Sequence, residues 1–125
     1  QTGILVDEKD NILEGPGFNI FSLDDQGLHT PGSGVLSGVT RGVVINIAKT
    51  LGISVNLKAV SLKKFISSKE IFITSTAGGI MPVTRVNGQK INGGKFGDVA
   101  KKIYNIYWDK HKDPKWSNSV ESLIL

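Results

Sequence analysis

Residues 37–52, "SGVTRGVVINIAKTLG", constrain the fold more than any other stretch. Apolar side chains recur at Val39, Val43, Ile47 and Leu51, one face of a helix, and Val44 and Ala48 widen that face. Ser37 is a candidate N-cap, and Gly52 stands where a helix commonly stops. β-rich segments flank this helix on both sides. "GILVD" reads as a short strand and "EKDN" as a turn. "FNIFSLD" alternates apolar and polar residues as a half-buried strand does, and "DDQG" is its turn. "LHTPGSG" is expected to be a loop, "ISVNLKAV" a strand, and "SLKKFISS" a turn or two of helix. "EIFITS" reads as a buried strand, and "IMPVTRV" resumes as a second one after the glycines. "VNGQK" carries the Asn-Gly pair that most strongly signals a hairpin, and "INGGKFG" is a loop. A last helix is predicted over 98–111, burying Val99, Ile103, Ile106 and Tyr107. The tail "DPKWSNSVESLIL" has little pattern. No repeat or linker interrupts the series, so residues 1–125 are read as one domain of mixed α and β elements.

The composition narrows the classes of function. The hydrophobic share of 39% suits a globular chain, and no run of eighteen apolar residues is present to span a membrane. Without cysteine, disulfides and thiolate metal sites are excluded, and a cytoplasmic setting is expected. The start, "QTGILVDEKD", has no signal-peptide pattern and no initiator Met, so the sequence is expected to begin inside a longer gene. The net charge of +4 is spread over lysines such as Lys63, Lys64, Lys101 and Lys102. It reads as solvated helix surface, and no nucleic-acid motif accompanies it. His29 and His111 are isolated, read as surface residues, and make no metal site.

Three segments place glycines or small residues where backbone N–H groups can face a ligand. In "EGPGFN", Glu14 is either a turn-forming carboxylate that caps a strand end or an anion for a cationic ring nitrogen. In "GSGVLSGVTRG", glycines precede a helix whose first turn holds Val39, Thr40 and Arg41. A helix start binds phosphate readily, because its first N–H groups lack partners and carry partial positive charge. An ordinary loop and cap would look the same. The segment lacks the Gly-Lys-Ser/Thr ending of a Walker loop, and its context is not that of a dinucleotide fingerprint. In "TSTAGGIMP", a strand ends in hydroxyl and small residues before two glycines, which suits an anion or, equally, a bulge.

In this order, the three segments resemble those of fold-type IV pyridoxal-phosphate enzymes, the family of branched-chain and D-amino acid aminotransferases. The resemblance runs from "ILVDEKDNILEGPGFNIF" through "LHTPGSGVLSGVTRGVVINIAKTLGI" to "EIFITSTAGGIMPVTRVNGQKINGGKFGDVAKKIYNIYW". The wording around "TAGGIMPVT" is most similar to the (R)-selective amine transaminases. The implied fold is α+β, the larger C-terminal α/β pseudo-barrel domain of these enzymes, incomplete at its N-terminus. The implied cofactor is pyridoxal 5'-phosphate. Glu14 matches the carboxylate that pairs with the ring nitrogen, Asn19 a polar residue at that edge, and Leu36 the apolar residue against the ring. Val39 through its backbone N–H, Thr40 through its N–H and hydroxyl, and Thr76 match the phosphate contacts. Thr76 and Ala77 match the place of the substrate carboxylate. Arg41 fits the pattern without a defined role.

The resemblance also implies a departure. The family attaches its cofactor to a lysine on a strand upstream of the segment matching Glu14. Only thirteen residues precede Glu14 here, and their single lysine, Lys9, sits in the "DEKDN" turn. The family's small N-terminal domain, with its phosphate-binding arginine, has no counterpart either. The chain is therefore expected to be the C-terminal, cofactor-binding portion of an aminotransferase and to have little or no activity by itself. The whole enzyme would move an amino group between an amine or amino acid and a keto acid, as a homo-oligomer that engages neither nucleic acid nor membrane. The alternatives are an enzyme like aminodeoxychorismate lyase, with the same cofactor site, and a non-catalytic binding module.

Overall fold

The structure is a computed structural model, and it describes residues 7–15, 17–32, 38–75 and 79–111. Strands β1 (Asn11–Ile12) and β2 (Glu14–Gly15) lead into β3 (Phe18–Asp24) and β4 (Gly27–Thr30). Helix α1 (Val39–Thr50) follows, then β5 (Val55–Leu57), β6 (Val60–Ser61) and the short α2 (Leu62–Ile66). Next come β7 (Glu70–Ser75), β8 (Gly79–Pro82), β9 (Arg85–Val86) and β10 (Gln89–Lys90). A 3-10 turn (Asn92–Gly94) and α3 (Asp98–His111) close the described chain.

The main sheet runs β5-β4-β3-β7-β8, and β2 also pairs with β3. All its pairs are antiparallel except β4 with β5. Strand β3 is central because its alternation gives it two apolar faces. Phe21 and its cross-strand partner Phe72 stack with centroids 5.0 Å apart. Both belong to the core under α1 and α3, with Val44, Ile47, Ala48, Ala100 and Ile103. On the opposite face, Ile20 and Ile71 pack with Ile12, Val60 and Phe65. The sheet therefore lies between two apolar layers, as a mixed domain requires. No described helix is long and apolar enough to cross a membrane.

Several expectations hold at residue level. "FNIFSLD" is β3, and residues 98–111 are α3. "SLKKFISS" holds the short helix α2, and the structure adds that Ser61 caps it by accepting the Lys64 N–H. Asn87 and Gly88 take φ of 50° and 81° between β9 and β10, the two positive values of a type I′ hairpin turn.

Others are corrected. "LHT" is strand, not loop, because Leu28 and His29 pair with Leu23 and Ser22 across a tight turn. "ISVNLKAV" divides into β5 and β6, which join different sheets. "IMPVTRV" divides into β8 and β9 in the same way. Helix α1 begins one residue later than expected, with Gly38 at its N-cap. Its inward face is Thr40, Arg41, Val44, Ile47 and Ala48, whereas Val39 is 57% exposed. The reason is polar anchoring of the first turn: the Thr40 hydroxyl donates to the Ser75 carbonyl at 3.2 Å, and Arg41 Nη2 donates to the Pro31 carbonyl at 2.9 Å. Those two bonds turn the helix about one position from its purely apolar stripe. His29 is buried rather than superficial, with Nε2 2.7 Å from Asp24 Oδ1. Burial pushes the Asp24 carboxyl up, but the hydrogen bonds from His29 and the Gln26 N–H outweigh it and hold the group below its ordinary range. "GILVD" before Asp7, the side chain of His111, and the tail lie outside the described residues.

The N-terminus of α3 is capped from another element. Glu70 at the start of β7 accepts the Ala100 N–H at 2.9 Å and the Val99 N–H at 3.3 Å. The approach is so close that a β-carbon on Gly97 would overlap the Glu70 carboxylate. Glu70→Ala leaves those donors without the carboxylate, and it is expected to lower unfolding free energy by about 1–2 kcal/mol. Urea unfolding of the two proteins measures this, and equal midpoints would overturn it.

Candidate active site

One row across the main sheet organises the site. Glu14 on β2 is the cross-strand partner of Asn19 on β3, and Asn19 is the partner of Thr74 on β7. Residues in register across a sheet share a face. The row therefore lies on the side of Phe21 and Phe72, which follow two residues along the same strands toward α1 and α3. Where the row meets the start of α1 there is a cavity of about 200 Å³. Strand residues Glu14, Asn19, Thr74 and Ser75 line it, with Gly17 and Phe18 from the turn before β3. Gly38, Thr40 and Arg41 line it from the helix.

The helix end supplies donors. Gly38 offers no side-chain cap, and the first turn of α1 has no acidic residue. The first intrahelical bond runs from the Gly42 N–H to the Gly38 carbonyl at 3.1 Å. Helix geometry therefore leaves the N–H groups of Val39 and Thr40 without intrahelical acceptors, at the positive end of the macrodipole. The end is held in place by Thr40 and Arg41 through their bonds to β7 and to the chain after β4. Gly38 makes a close approach: a β-carbon there would stand 2.8 Å from Asn19 Oδ1, so the Asn19 amide would have to shift.

Of the residues singled out in the sequence, Glu14, Asn19 and Thr40 come together in this cavity. Val39 heads the helix, where the expected contact is its backbone N–H, and its side chain is largely exposed. Leu36, Thr76 and Ala77 lie outside the described residues. Thr74, Ser75 and Gly38 line the cavity although the sequence reading gave them no individual role. Thr74 reads as an ordinary strand residue, and only its alignment with Asn19 and its burial reveal it. Among the described residues, no lysine lines the cavity. Lys9 is in the turn after Asp7, where its N–H donates to Asp7 Oδ1.

The chain matches Amino-transferase class IV over residues 1–86. It belongs to the class IV aminotransferase family. The branched-chain-amino-acid aminotransferase of Escherichia coli strain K12 is 37% identical over 110 residues, which is 86% of this chain and 36% of that protein. The crystal structure of the Escherichia coli branched-chain amino acid aminotransferase superposes with a TM-score of 0.83 at 37% identity, over 87% of this chain and 37% of that one. The branched-chain aminotransferase of the thermophilic archaeon Thermoproteus uzoniensis, solved with norvaline, gives 0.83 at 30% identity, over 92% and 39% of the respective chains. The fold is thus that of class IV aminotransferase structures, as the resemblance implied. The chain spans 35–40% of the length of the curated relatives it matches. Each of these relatives is a branched-chain aminotransferase.

Proposed function

We propose that this chain is the cofactor-binding portion of a pyridoxal-phosphate-dependent aminotransferase, one that moves an amino group between an amino acid and a keto acid. The observation that carries the reading is the polarity of the cavity. A carboxylate, Glu14, stands at one side, and a helix start whose N-cap residue, Gly38, brings no side-chain cap stands at the other. Strand spacing of about 4.8 Å puts Glu14 and Thr74 roughly 10 Å apart along the row. A ligand with a cationic ring nitrogen at one end and a phosphate at the other matches that order of charges. The buried Asn19 amide between the ends fits the polar edge of the same molecule.

In this reading the Val39 and Thr40 N–H groups hold the phosphate, with Thr76 as a further donor. Glu14 holds a proton on the ring nitrogen, and Asn19 fixes that edge. Leu36 packs against the ring, and Thr76 and Ala77 receive the substrate carboxylate. When bound, pyridoxal phosphate supplies an electron sink for the substrate's α-carbon. The relatives' names make branched-chain amino acids the first substrates to try, and they favour amino transfer over the lyase alternative. Association into a homo-oligomer is part of the proposal. It would cover the sheet's outer strands β5 and β8, whose Leu57 and Met81 are 47% and 50% exposed.

Titration of the chain with pyridoxal phosphate tests the reading. Saturable binding, competed by inorganic phosphate, is expected. Absence of any saturable binding would sink the cofactor assignment. With leucine and a keto acid present, the 125-residue chain alone is expected to give no turnover, because no lysine lines the cavity among the described residues. Turnover at ordinary enzyme rates, about 1–10³ s⁻¹, would overturn that part.

A further inference from the structure

We propose that the hydroxyl of Thr74 is a ligand donor in the cavity, given to the phosphate end of the bound molecule. The residue is 1% exposed, and its Oγ1 is buried with no hydrogen-bond partner. A buried hydroxyl left unmatched costs about 1–3 kcal/mol, so folded proteins rarely keep one without a use. Thr74 is also one of the side chains that line the cavity. Its missing partner is therefore something that enters the cavity.

The end of the cavity is set by α1. Gly38 approaches Asn19, in the middle of the row, and Thr40 bonds to the Ser75 carbonyl next to Thr74. The helix start thus overlies the Asn19–Thr74 part of the row and leaves Glu14 at the far side. Thr74 stands with the donors, not with the carboxylate, and a phosphate monoester is the group those donors would share. The Thr40 hydroxyl is already committed to the Ser75 carbonyl. Thr74 therefore supplies a side-chain hydroxyl that Thr40 does not have free in this arrangement. This inference rests on the cofactor reading above but assigns a residue which that reading does not need.

Thr74→Val keeps the shape and removes the hydroxyl. Dissociation constants for pyridoxal phosphate and for inorganic phosphate are expected to rise by roughly tenfold or more, the loss of one charge-assisted hydrogen bond. Binding of pyridoxal, which has no phosphate, is expected to stay as in wild type. Thr74→Ser is expected to restore phosphate binding. The ligand-free melting temperature of Thr74→Val should be unchanged or higher, because an unmatched buried hydroxyl is gone. Unchanged phosphate binding in Thr74→Val would overturn the proposal. So would a fall shared equally by pyridoxal, or a lower ligand-free melting temperature with binding intact, since either marks a structural hydroxyl. If wild type binds none of the three ligands, the cofactor reading itself fails and takes this inference with it.

Discussion

Phe21→Ala is expected to lower unfolding free energy by about 3–5 kcal/mol, close to the whole margin of a less stable domain. Phe21 is fully buried and lies 6° from parallel with the ring of Phe72. That pair joins β3 to β7 and presents one surface to α1 and α3. Removing the ring leaves a void between layers that the backbone pairing on each side keeps from collapsing, and it forfeits the stacking contribution of about 0.5–1.5 kcal/mol. The site would feel the same change. Phe21 is two residues from Asn19, and Phe72 is two from Thr74, so the stack supports the polar row from the next position along each strand. A fall in melting temperature of roughly 10–20 °C is expected by thermal unfolding. Phosphate affinity should weaken even where the variant is still folded. A shift below about 3 °C would show that the two rings do not join the layers.

How much of this was legible beforehand depended on the range of the interactions. β3 could be read to the residue because its alternation is local, and so could α3, whose apolar spacing repeats along its length. The Asn87–Gly88 turn is dictated by two adjacent residues. The strand character of Gly27–Thr30 was hidden, since the signal is its pairing with β3 and β5 rather than its own composition. The inward face of α1 was misread for a more informative reason. The apolar stripe points to Val39, but two polar anchors turn Thr40 and Arg41 inward instead. Where pattern and structure disagree, the helix start is adjusted to the cavity rather than to the core. Such local departures are expected at functional positions. Glu14, Asn19 and Thr40 could be found because they lie in glycine-containing segments whose order resembles that of the family. Thr74 could not, because an unmatched hydroxyl is a property of the packed molecule.

Glu14→Gln separates the two meanings that a carboxylate in "EGPGFN" can have. If Glu14 only shapes the turn and the end of β2, glutamine should change every ligand's affinity by a similar factor. If it meets a ring nitrogen, the loss should depend on that nitrogen. Pyridoxal phosphate should bind roughly ten- to a hundredfold more weakly to Glu14→Gln, the worth of a hydrogen bond between charged partners. An analogue with a carbon in place of the ring nitrogen should behave in the opposite way. In wild type it brings a C–H edge against a half-buried carboxylate and strips that group of water without replacing the bond. The variant, lacking the charge, should bind the analogue at least as well as wild type does. The ratio of the two effects cancels any general change in the fold, so it reports the contact between carboxylate and nitrogen alone. Equal weakening for both molecules would return Glu14 to the role of a strand-end residue, and the polarity assigned to the cavity would fall with it.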